Sequence, residues 1–486
     1  MNLDLSPEEF SRCGRDAVQA IADYIGSLPG QRVYPAVTGE QIRSQFLRDL
    51  PLEPGNFDEL LQTFSNTILK FSRHNAHPRM FGYVQSPGTG IAAIADMLAS
   101  ALNANLTAWR SAPVAVEIER LTIDWIKQIV GYDRSAGGLF VSGGSMANLA
   151  GLAAARQARG PSELLEQGLS AAGARLRAYA SAETHYSVEK AAALLGIGAA
   201  NLRKIPVDDA HRIRPKALKQ AIEQDRRSGH VPICVVANAG TVMTGAIDPL
   251  HALHDIAREF NLWLHVDGAY GGFALLAESV RSQFRGIELA DSIALDPHKW
   301  LYLPIDCGCV LYRDPGNAQA AFVQQAEYTR VIGHKAEEAF AFWDYGPELS
   351  RRFRALKVWM LLKGVGLKAL SSAIEENLAC ARYLQELVQA ADDFEMLAPV
   401  ELSIFCFRHL PRSARALNAA ADDTALDQWN ERLLLGLQQD GSSYLSNARV
   451  HGRFSLRGCV LNYRTTRRDM EILLDDIRRV AQLANA

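Results

Sequence analysis

The chain has 486 residues, of which 48% are hydrophobic and 22% are charged, an ordinary composition for a globular protein with a sizeable core. Its 51 basic and 54 acidic residues nearly cancel, which argues against a nucleic-acid-binding protein that relies on a basic surface. No uninterrupted apolar run is long enough for a membrane span, and the acidic N-terminus lacks the basic-then-apolar order of a signal peptide.

The seven cysteines are odd in number, are scattered through the chain and form no Cys-x-x-Cys motif. We therefore expect neither a disulfide framework nor a structural metal site. Unpaired cysteines are typical of proteins in a reducing compartment, so the sequence predicts a cytoplasmic protein.

Residues 1–89 are predicted to form a helical segment. Ser6-Pro7-Glu8-Glu9 has the features of a helix start, and apolar residues then recur at helical spacing as far as about Leu28. A second helix is predicted over Phe57 to Phe71. Since this segment has too few apolar residues for a core of its own, we expect it to pack on another surface, such as that of a second subunit.

Residues 90–365 are predicted to form a large α/β domain, because short apolar runs alternate there with helical stretches. This alternation indicates a mostly parallel sheet, in which ligands bind at the carboxyl ends of the strands. The predicted strands are Leu139–Val141, Ala178–Ala180, Ile233–Val236, Trp263–Val266, Ser292–Leu295 and Val310–Tyr312.

Residues 366–486 are predicted to form a smaller α+β domain. A helix from Leu370 to Ala391 precedes two strand-like runs, Leu402 to Phe407 and Phe454 to Tyr463, and a closing helix covers Asp469 to Leu483.

The turn Ser142-Gly143-Gly144-Ser145 follows the first predicted strand and leads into a helix. Glycines allow a ligand to approach the backbone, and the N–H groups of a helix start, together with Ser hydroxyls, suit a phosphate group. The same residues also suit a plain turn in which a Ser caps the helix, so the turn alone leaves both interpretations open.

A lysine and an aspartate stand at the ends of two further strands. Lys299, between His298 and Trp300, could be an amine nucleophile that condenses with an aldehyde, or a solvated surface lysine. Asp267 ends a strand about one strand–helix–strand step earlier, so both side chains would emerge at the same edge of the sheet. A buried aspartate needs a cationic partner, and a protonated pyridine nitrogen would serve, although a helix cap or a structural ion pair would also explain it.

Two more polar segments follow predicted strands. His185 comes after the strand at Tyr179, and Thr241 comes after the strand at Val236. A lone histidine after a strand is usually structural. Five polar features at five successive strand ends, however, favour a functional site.

Together these motifs resemble the group II amino-acid decarboxylases, a family that includes aromatic-L-amino-acid, histidine, glutamate and cysteine-sulfinate decarboxylases. The resemblance covers nearly the whole chain, from His77–Tyr83 to Leu349–Arg354, and Asp296-Pro297-His298-Lys299-Trp300 is its most specific segment. It implies an α/β fold of fold type I, similar to aspartate aminotransferase, and the cofactor pyridoxal 5'-phosphate. It further implies a homodimer with the active site at the subunit interface.

By this resemblance, Lys299 forms the internal aldimine, Asp267 keeps the pyridine nitrogen protonated and His185 stacks on the ring. Loss of CO2 from the substrate then gives a quinonoid whose charge the cationic ring stabilises. Gly144, Ser145 and His298 hold the phosphate, and Thr241 lies beside the ring. The implied cofactor-binding residues are Gly144, Ser145, His185, Thr241, Asp267, Ala269, His298 and Lys299.

Tyr328 lies in Gln319–Gly346, a polar stretch that resembles the mobile catalytic loop of the family. A Tyr there resembles the acid that returns a proton to the quinonoid carbon and yields the amine. Members with Phe at this position tend to be oxygen-dependent aldehyde synthases, so Tyr328 favours decarboxylation. An aldehyde synthase and a non-catalytic homologue remain the alternatives, and the intact motifs argue against the latter.

The substrate is predicted to be an aromatic L-amino acid, with an acidic or other polar amino acid, such as glutamate, aspartate or cysteine sulfinate, as the alternative. Tyr83 matches the aromatic decarboxylases, whereas the His77-Pro78-Arg79 segment leans toward the glutamate and cysteine-sulfinate branch. Asn105 and Thr107 stand where the aromatic enzymes carry larger apolar side chains. The predicted substrate contacts are Tyr83, Ser86, Asn105 and Thr107.

Overall fold

The computed structural model describes residues 4–46, 50–162, 164–171, 173, 175–323, 340–411 and 423–484. The helices are α1 (Pro7–Ser27), α2 (Gly39–Arg43), α3 (Phe57–Thr63), α4 (Gly90–Leu102), α5 (Pro113–Val130), α6 (Gly144–Arg159), α7 (Leu164–Ala171), α8 (Tyr186–Leu194), α9 (Pro215–Arg227), α10 (Leu250–Glu259), α11 (Glu278–Arg281), α12 (Pro297–Trp300), α13 (Pro315–Phe322), α14 (Ala355–Gly364), α15 (Leu367–Ala390), α16 (Asp423–Asp440) and α17 (Arg467–Ala484). The strands are β1 (Gly137–Val141), β2 (Leu176–Ser181), β3 (Leu202–Ile205), β4 (Val231–Asn238), β5 (Trp263–Gly268), β6 (Ser292–Leu295), β7 (Gly308–Tyr312), β8 (Phe394–Met396), β9 (Ile404–His409), β10 (Ser446–Val450) and β11 (Arg453–Cys459).

The larger sheet has the strand order β1-β7-β6-β5-β4-β2-β3. Its strands run parallel except for β7, which is antiparallel to its neighbours β1 and β6. The predicted α/β class with a mostly parallel sheet is therefore confirmed. The carboxyl ends of β1, β2, β4, β5 and β6 meet at one edge, and in this register Asp267 is opposite Asn238 on one side and Ala294 on the other.

Helices cover both faces of the larger sheet, which is why its central strands are apolar runs rather than alternating ones. Along β4, Val235 packs into the core on one face and Val236 into the core on the other. The same alternation occurs in β6, where Ile293 and Ala294 point to opposite faces. Every residue of these strand centres is buried, and polar groups are displaced to the strand ends.

The smaller sheet is antiparallel, with the order β10-β11-β9-β8, and it packs against helices α15, α16 and α17. The sequence prediction of two strands here was incomplete, since β8, β10 and the helix α16 were missed. β10 alternates buried and exposed residues, and its exposed positions are the polar Asn447 and Arg449. Such a short, half-polar strand carries too little apolar signal to stand out from a loop.

The N-terminal helix α1 begins as predicted. Ser6 Oγ accepts a hydrogen bond from the Glu9 N–H, and the Glu9 carboxylate accepts one from the Ser6 N–H. The second predicted helix, Phe57 to Phe71, is instead α3 followed by a π-helical turn at Phe64–Leu69. One wider turn changes the apolar spacing too little for the sequence pattern to reveal it. No described helix is long and apolar enough to cross a membrane.

A buried ion pair fixes the start of the large sheet. The Arg351 guanidinium pairs with Glu119 of α5, and both side chains are inaccessible to solvent. Arg351 also donates to the carbonyl oxygens of Leu106 and Phe140, at 3.0 and 2.8 Å, while the Phe140 N–H donates to Glu119 at 3.0 Å. Since Phe140 belongs to β1, this pair holds the strand that leads into the glycine turn.

Arg351→Ala should therefore destabilise the protein strongly. Removing one partner of a buried pair leaves the other charge unpaired, at a cost of about 3–5 kcal/mol. The adjacent Arg352 offers a matched control, because its pair with Asp306 is solvent-exposed and is worth about 0–1 kcal/mol. We expect a clearly lower midpoint of thermal unfolding for Arg351→Ala and a nearly unchanged one for Arg352→Ala, and equal midpoints would contradict this account of the core.

Candidate active site

A cavity of about 700 Å³ lies where the carboxyl ends of β1, β2, β4, β5 and β6 meet. It is the edge at which the sequence predicted a ligand site. Residues of the smaller sheet, Ser446, Asn447 and Arg457, complete its wall. The predicted site residues that line it are Tyr83, Gly144, Ser145, His185, Asp267, Ala269, His298 and Lys299.

The two-glycine turn between β1 and α6 presents bare backbone to this cavity. A Cβ atom at Gly144 would lie 2.8 Å from both the Ala269 Cβ and the Asp296 Oδ2 atoms, so only glycine fits there. The first turn of the 16-residue helix α6 leaves N–H groups without partners inside the helix, and they carry partial positive charge. Ser145 adds a hydroxyl at the same place. This arrangement suits an anionic group such as a phosphate.

His298 stands beside the glycine turn. Its Nδ1 atom accepts a hydrogen bond from the Cys307 N–H at 3.1 Å, so Nε2 carries the proton of the neutral ring. Burial lowers the pKa of His298, although Asp296 acts in the opposite direction. A neutral His298 therefore presents an N–H donor at Nε2.

Lys299 lies on the short helix α12, directly after β6. Its Nζ atom is 2.8 Å from the Oδ2 atom of Asp296, a carboxylate that is itself almost fully buried. Burial lowers the pKa of Lys299, but the charges of Asp296 and Asp267 outweigh it and raise the pKa overall. The lysine is thus held at the cavity wall as a paired ammonium group and is not a solvated surface residue.

Asp267 is the next-to-last residue of β5, and it lines the same cavity. Oδ1 accepts a hydrogen bond from the Ala269 N–H at 3.1 Å, and Oδ2 accepts one from Asn148 Nδ2 at 2.9 Å. These two donors fix the orientation of the carboxylate, and each oxygen retains a lone pair for a further donor.

His185 caps the start of α8, where its Nδ1 atom lies 2.7 Å from Ser187 Oγ. Burial lowers the pKa of His185, so the ring is neutral at pH 7. The neutral ring lines the cavity together with Asp267 and Ser187. The structure therefore brings Lys299, Asp267 and His185 together, as the sequence predicted.

Other predicted residues lie outside the cavity lining of the single described chain. Thr241 is buried, and its hydroxyl pairs with Thr244 and with the Ala246 N–H. Ser86 donates to the His298 carbonyl oxygen at 2.9 Å. Asn105 accepts from the Arg351 N–H, and Thr107 donates to Ser111. Their assignment to the site stays a prediction, and Tyr328 lies outside the described residues.

The polar residues of the cavity wall that sequence reasoning missed include Asn148, Asn238, Asp296 and Arg457. Asn148 is four residues after Gly144, on the same face of α6, and this spacing could have identified it. Asp296 is part of the motif that pointed to Lys299. Arg457 comes from the smaller sheet, so no local pattern connects it with the cavity.

Comparison with known proteins agrees with the geometry. The family model for the pyridoxal-dependent decarboxylase conserved domain matches residues 40–410. The chain is 36% identical to an aromatic-L-amino-acid decarboxylase of Bacillus atrophaeus, covering 99% of this chain and 97% of that protein. It is 30% identical to a phenylacetaldehyde synthase of Petunia hybrida, covering 94% and 91% of the two chains.

Among solved structures, the Oryza sativa TDC bound to PLP and tryptamine matches with a TM-score of 0.91 and 29% identity, covering 100% of both chains. The cavity fits the same coenzyme, because a glycine turn suited to phosphate, a lysine amine and a fixed carboxylate face one space. The fold and the site are those of a fold-type I enzyme that uses pyridoxal phosphate. The chain belongs to the pyridoxal-dependent decarboxylase family and is a carboxy-lyase, as the sequence predicted.

Gly144→Ala should weaken coenzyme binding, since the new methyl group would overlap the Ala269 side chain and the Asp296 carboxylate at the glycine turn. Gly90→Ala is the matched control, because a Cβ atom there meets nothing within 4 Å. Titration of the coenzyme-free variants with pyridoxal 5'-phosphate should show that Gly144→Ala lowers the affinity at least about tenfold, because one strained close contact costs roughly that much free energy. Gly90→Ala should leave the affinity unchanged. Equal affinities would remove the glycine turn from the site.

Proposed function

We propose that this protein is an aromatic-L-amino-acid decarboxylase that converts its substrate to the amine and CO2. The observation that carries the proposal is the placement of Lys299 and Asp267 on one cavity, where an amine and a carboxylate of fixed orientation line the same space. The 36% identity to an aromatic-L-amino-acid decarboxylase supports the aromatic substrate class. Tyr83 at the cavity wall supplies an aromatic surface for such a side chain.

Each side chain of the site has a role that follows from its position. Bound pyridoxal phosphate supplies an electron sink for the negative charge that CO2 leaves behind on the α carbon. Asp267 would accept a hydrogen bond from the protonated ring nitrogen and so keep the ring cationic, and the neutral His185 ring would cover the face of the ring. Lys299 provides the amine that attaches the coenzyme to the protein.

The remaining predicted residues hold the phosphate and complete the coenzyme site. The glycine turn, through the Gly144 and Ser145 N–H groups, and the Nε2–H of His298 provide donors to the phosphate. Ala269 lies against the same turn, and Thr241 lies one residue beyond the cavity-lining Gly240.

We further propose a cytoplasmic homodimer with the active site at the subunit interface. Apolar side chains of the N-terminal segment are exposed in the single chain, among them Phe10 and Val18 of α1, which are 60% and 50% exposed. Exposed apolar side chains along one helix are typical of a surface that packs against a partner. The proposed division is a dimer-packing segment over 1–89, a coenzyme-binding domain over 90–365 and a smaller domain over 366–486, with Asn105 and Thr107 near the shared surface.

An acidic amino acid is the second candidate substrate. Arg457 lines the cavity, is buried, and has an Nε atom without a hydrogen-bond partner among the described residues. Gln85, which accepts from Arg73 at 2.8 Å, adds a second polar group at the wall. The second carboxylate of an acidic substrate would accept hydrogen bonds from the Arg457 guanidinium and the Gln85 amide.

The substrate class can be decided by measuring CO2 release from holoenzyme with each of the twenty amino acids, DOPA, 5-hydroxytryptophan and cysteine sulfinate. We expect turnover of aromatic amino acids and release of the matching amine. Lys299→Ala should lose turnover, while the coenzyme-free protein should still fold but with a lower thermal unfolding midpoint, because the buried Asp296 loses its partner. Turnover restricted to acidic substrates would favour the second candidate, and a comparable rate for Lys299→Ala would overturn the assignment of the lysine.

Tyr328→Phe should shift the product from amine toward aldehyde, since a phenyl ring cannot return a proton to the α carbon. An oxygen electrode and an ammonia assay measure the change, because the aldehyde reaction consumes O2 and releases ammonia. A conservative loop substitution, Val323→Ile, is the control. An unchanged amine yield for Tyr328→Phe would remove this residue from the reaction.

A further inference from the structure

A continuous network of buried hydrogen bonds lies behind Asp267. The Asp267 carboxylate accepts from Asn148 Nδ2 at 2.9 Å, and Asn148 Oδ1 lies 2.9 Å from His265 Nε2. On its other side, His265 Nδ1 lies 2.7 Å from Ser292 Oγ, which accepts from Trp263 Nε1 at 2.8 Å. We call these five residues the Asn148 network.

The directions of these hydrogen bonds follow from their chemistry. A carboxylate only accepts, so the amide atom that faces Asp267 must be the NH2 group of Asn148. Asn148 Oδ1 then accepts, so Nε2 of His265 must carry the proton. Trp263 can only donate to Ser292, which leaves the Ser292 hydroxyl free to donate to His265 Nδ1. Every proton of the network therefore points toward Asp267.

The network fixes a neutral His265. Burial lowers the pKa of His265 to about 4, although the charge of Asp267 acts in the opposite direction. Gly151 makes room for the imidazole, since a Cβ atom there would lie 2.5 Å from the His265 ring. A neutral ring with a single tautomer is a rigid donor to the Asn148 amide.

A branch of the network reaches His185. The second N–H of Asn148 Nδ2 donates to Ser187 Oγ at 3.0 Å, and Ser187 Oγ lies 2.7 Å from His185 Nδ1. The Ser187 backbone N–H also donates to Nδ1, so this atom accepts and the other ring nitrogen carries the proton. One amide thus orients both the carboxylate and the imidazole that face the coenzyme ring.

We propose that Asn148 is a positioning residue that aims the Asp267 carboxylate at the coenzyme ring nitrogen, and that His265, Ser292 and Trp263 hold its amide in the one orientation that can do so. The inference rests on the role given to Asp267 above. Without the network, the amide could turn its oxygen toward Asp267, and the carboxylate would lose a donor and its fixed orientation. The side chains of the network are all more than nine-tenths buried, so water cannot substitute readily for a missing partner.

Comparing the binding of pyridoxal 5'-phosphate with that of an analogue without the ring nitrogen distinguishes a positioning role of Asn148 from a purely structural one. Pyridoxal 5'-phosphate has a ring nitrogen that can bond to Asp267, whereas 1-deazapyridoxal 5'-phosphate has a C–H group there. The ratio of their dissociation constants, measured by titration of coenzyme-free protein, reports the Asp267 interaction alone. For the unmodified protein we expect the deaza compound to bind at least about tenfold more weakly, because a hydrogen bond to a charged group changes the affinity by roughly that factor.

Asn148→Leu should bring this ratio close to one. Ser292→Ala should reduce it about threefold, although Ser292 contacts neither Asn148 nor Asp267, because His265 loses the donor that selects its tautomer. Ser292→Thr retains a hydroxyl and should restore the ratio. Ser187→Ala removes the branch to His185 and one acceptor of the Asn148 amide but leaves His265 in place, so it should change the ratio of the two dissociation constants less than Ser292→Ala does.

The outcomes distinguish the two proposals. A ratio near one in the unmodified protein would overturn the role of Asp267. The Asn148 network would then have no positioning function. A high ratio that persists in both Asn148→Leu and Ser292→Ala would overturn the network while leaving the role of Asp267 intact. If Asn148→Leu does not fold, the Ser292→Ala and Ser292→Thr pair decides the question, since an equal ratio in the two would contradict the inference.

Discussion

The structure depends on holding charged side chains of opposite sign in one largely buried cavity. Lys299, Asp296 and Asp267 line it together, and an isolated charge at such a site would be expensive. The cost is offset because Lys299 pairs with Asp296, while backbone and amide N–H groups satisfy Asp267. The parallel strands are what bring these groups together, since a slip of one residue in β5 would turn Asp267 to the other face of the sheet.

Asp296 also places a negative charge beside the proposed phosphate site. Asp296 neutralises Lys299, yet its carboxylate abuts the glycine turn that is suited to a phosphate, and its Oδ1 atom has no hydrogen-bond partner among the described residues. The partial positive charge at the start of α6 and the Nε2–H of His298, whose nitrogen is 3.7 Å from Asp296 Oδ2, partly balance this negative charge. The proposed anion site therefore lies beside a carboxylate, and the dipoles of the α6 start and of the His298 N–H reduce the repulsion between the two negative groups.

The sequence predicted those parts of the molecule that local patterns determine. The strand ends at Asp267 and Lys299 and the capped start of α1 each follow from neighbouring residues, and the structure has them where they were expected. Asn148, His265 and Ser292 were not predicted as a unit, because they meet only when α6 lies across β5 and β6. Arg457 reaches the cavity from the smaller sheet, and β10 beside it is too short and polar to be recognised from its pattern.

This division also explains why the reaction class is easier to infer than the substrate. The groups that we propose to face the coenzyme stand at strand and helix ends, where Lys299 pairs with Asp296 and Asp267 accepts from Asn148. The cavity wall that would contact a substrate side chain is assembled from a loop and from the smaller sheet. Tyr83 there adopts a positive φ of 63°, and its carbonyl oxygen accepts from Arg457, so its position depends on residues far away in the sequence. The residues proposed to contact the substrate side chain therefore depend on long-range packing, whereas those proposed for the chemistry lie in motifs that the sequence displays directly.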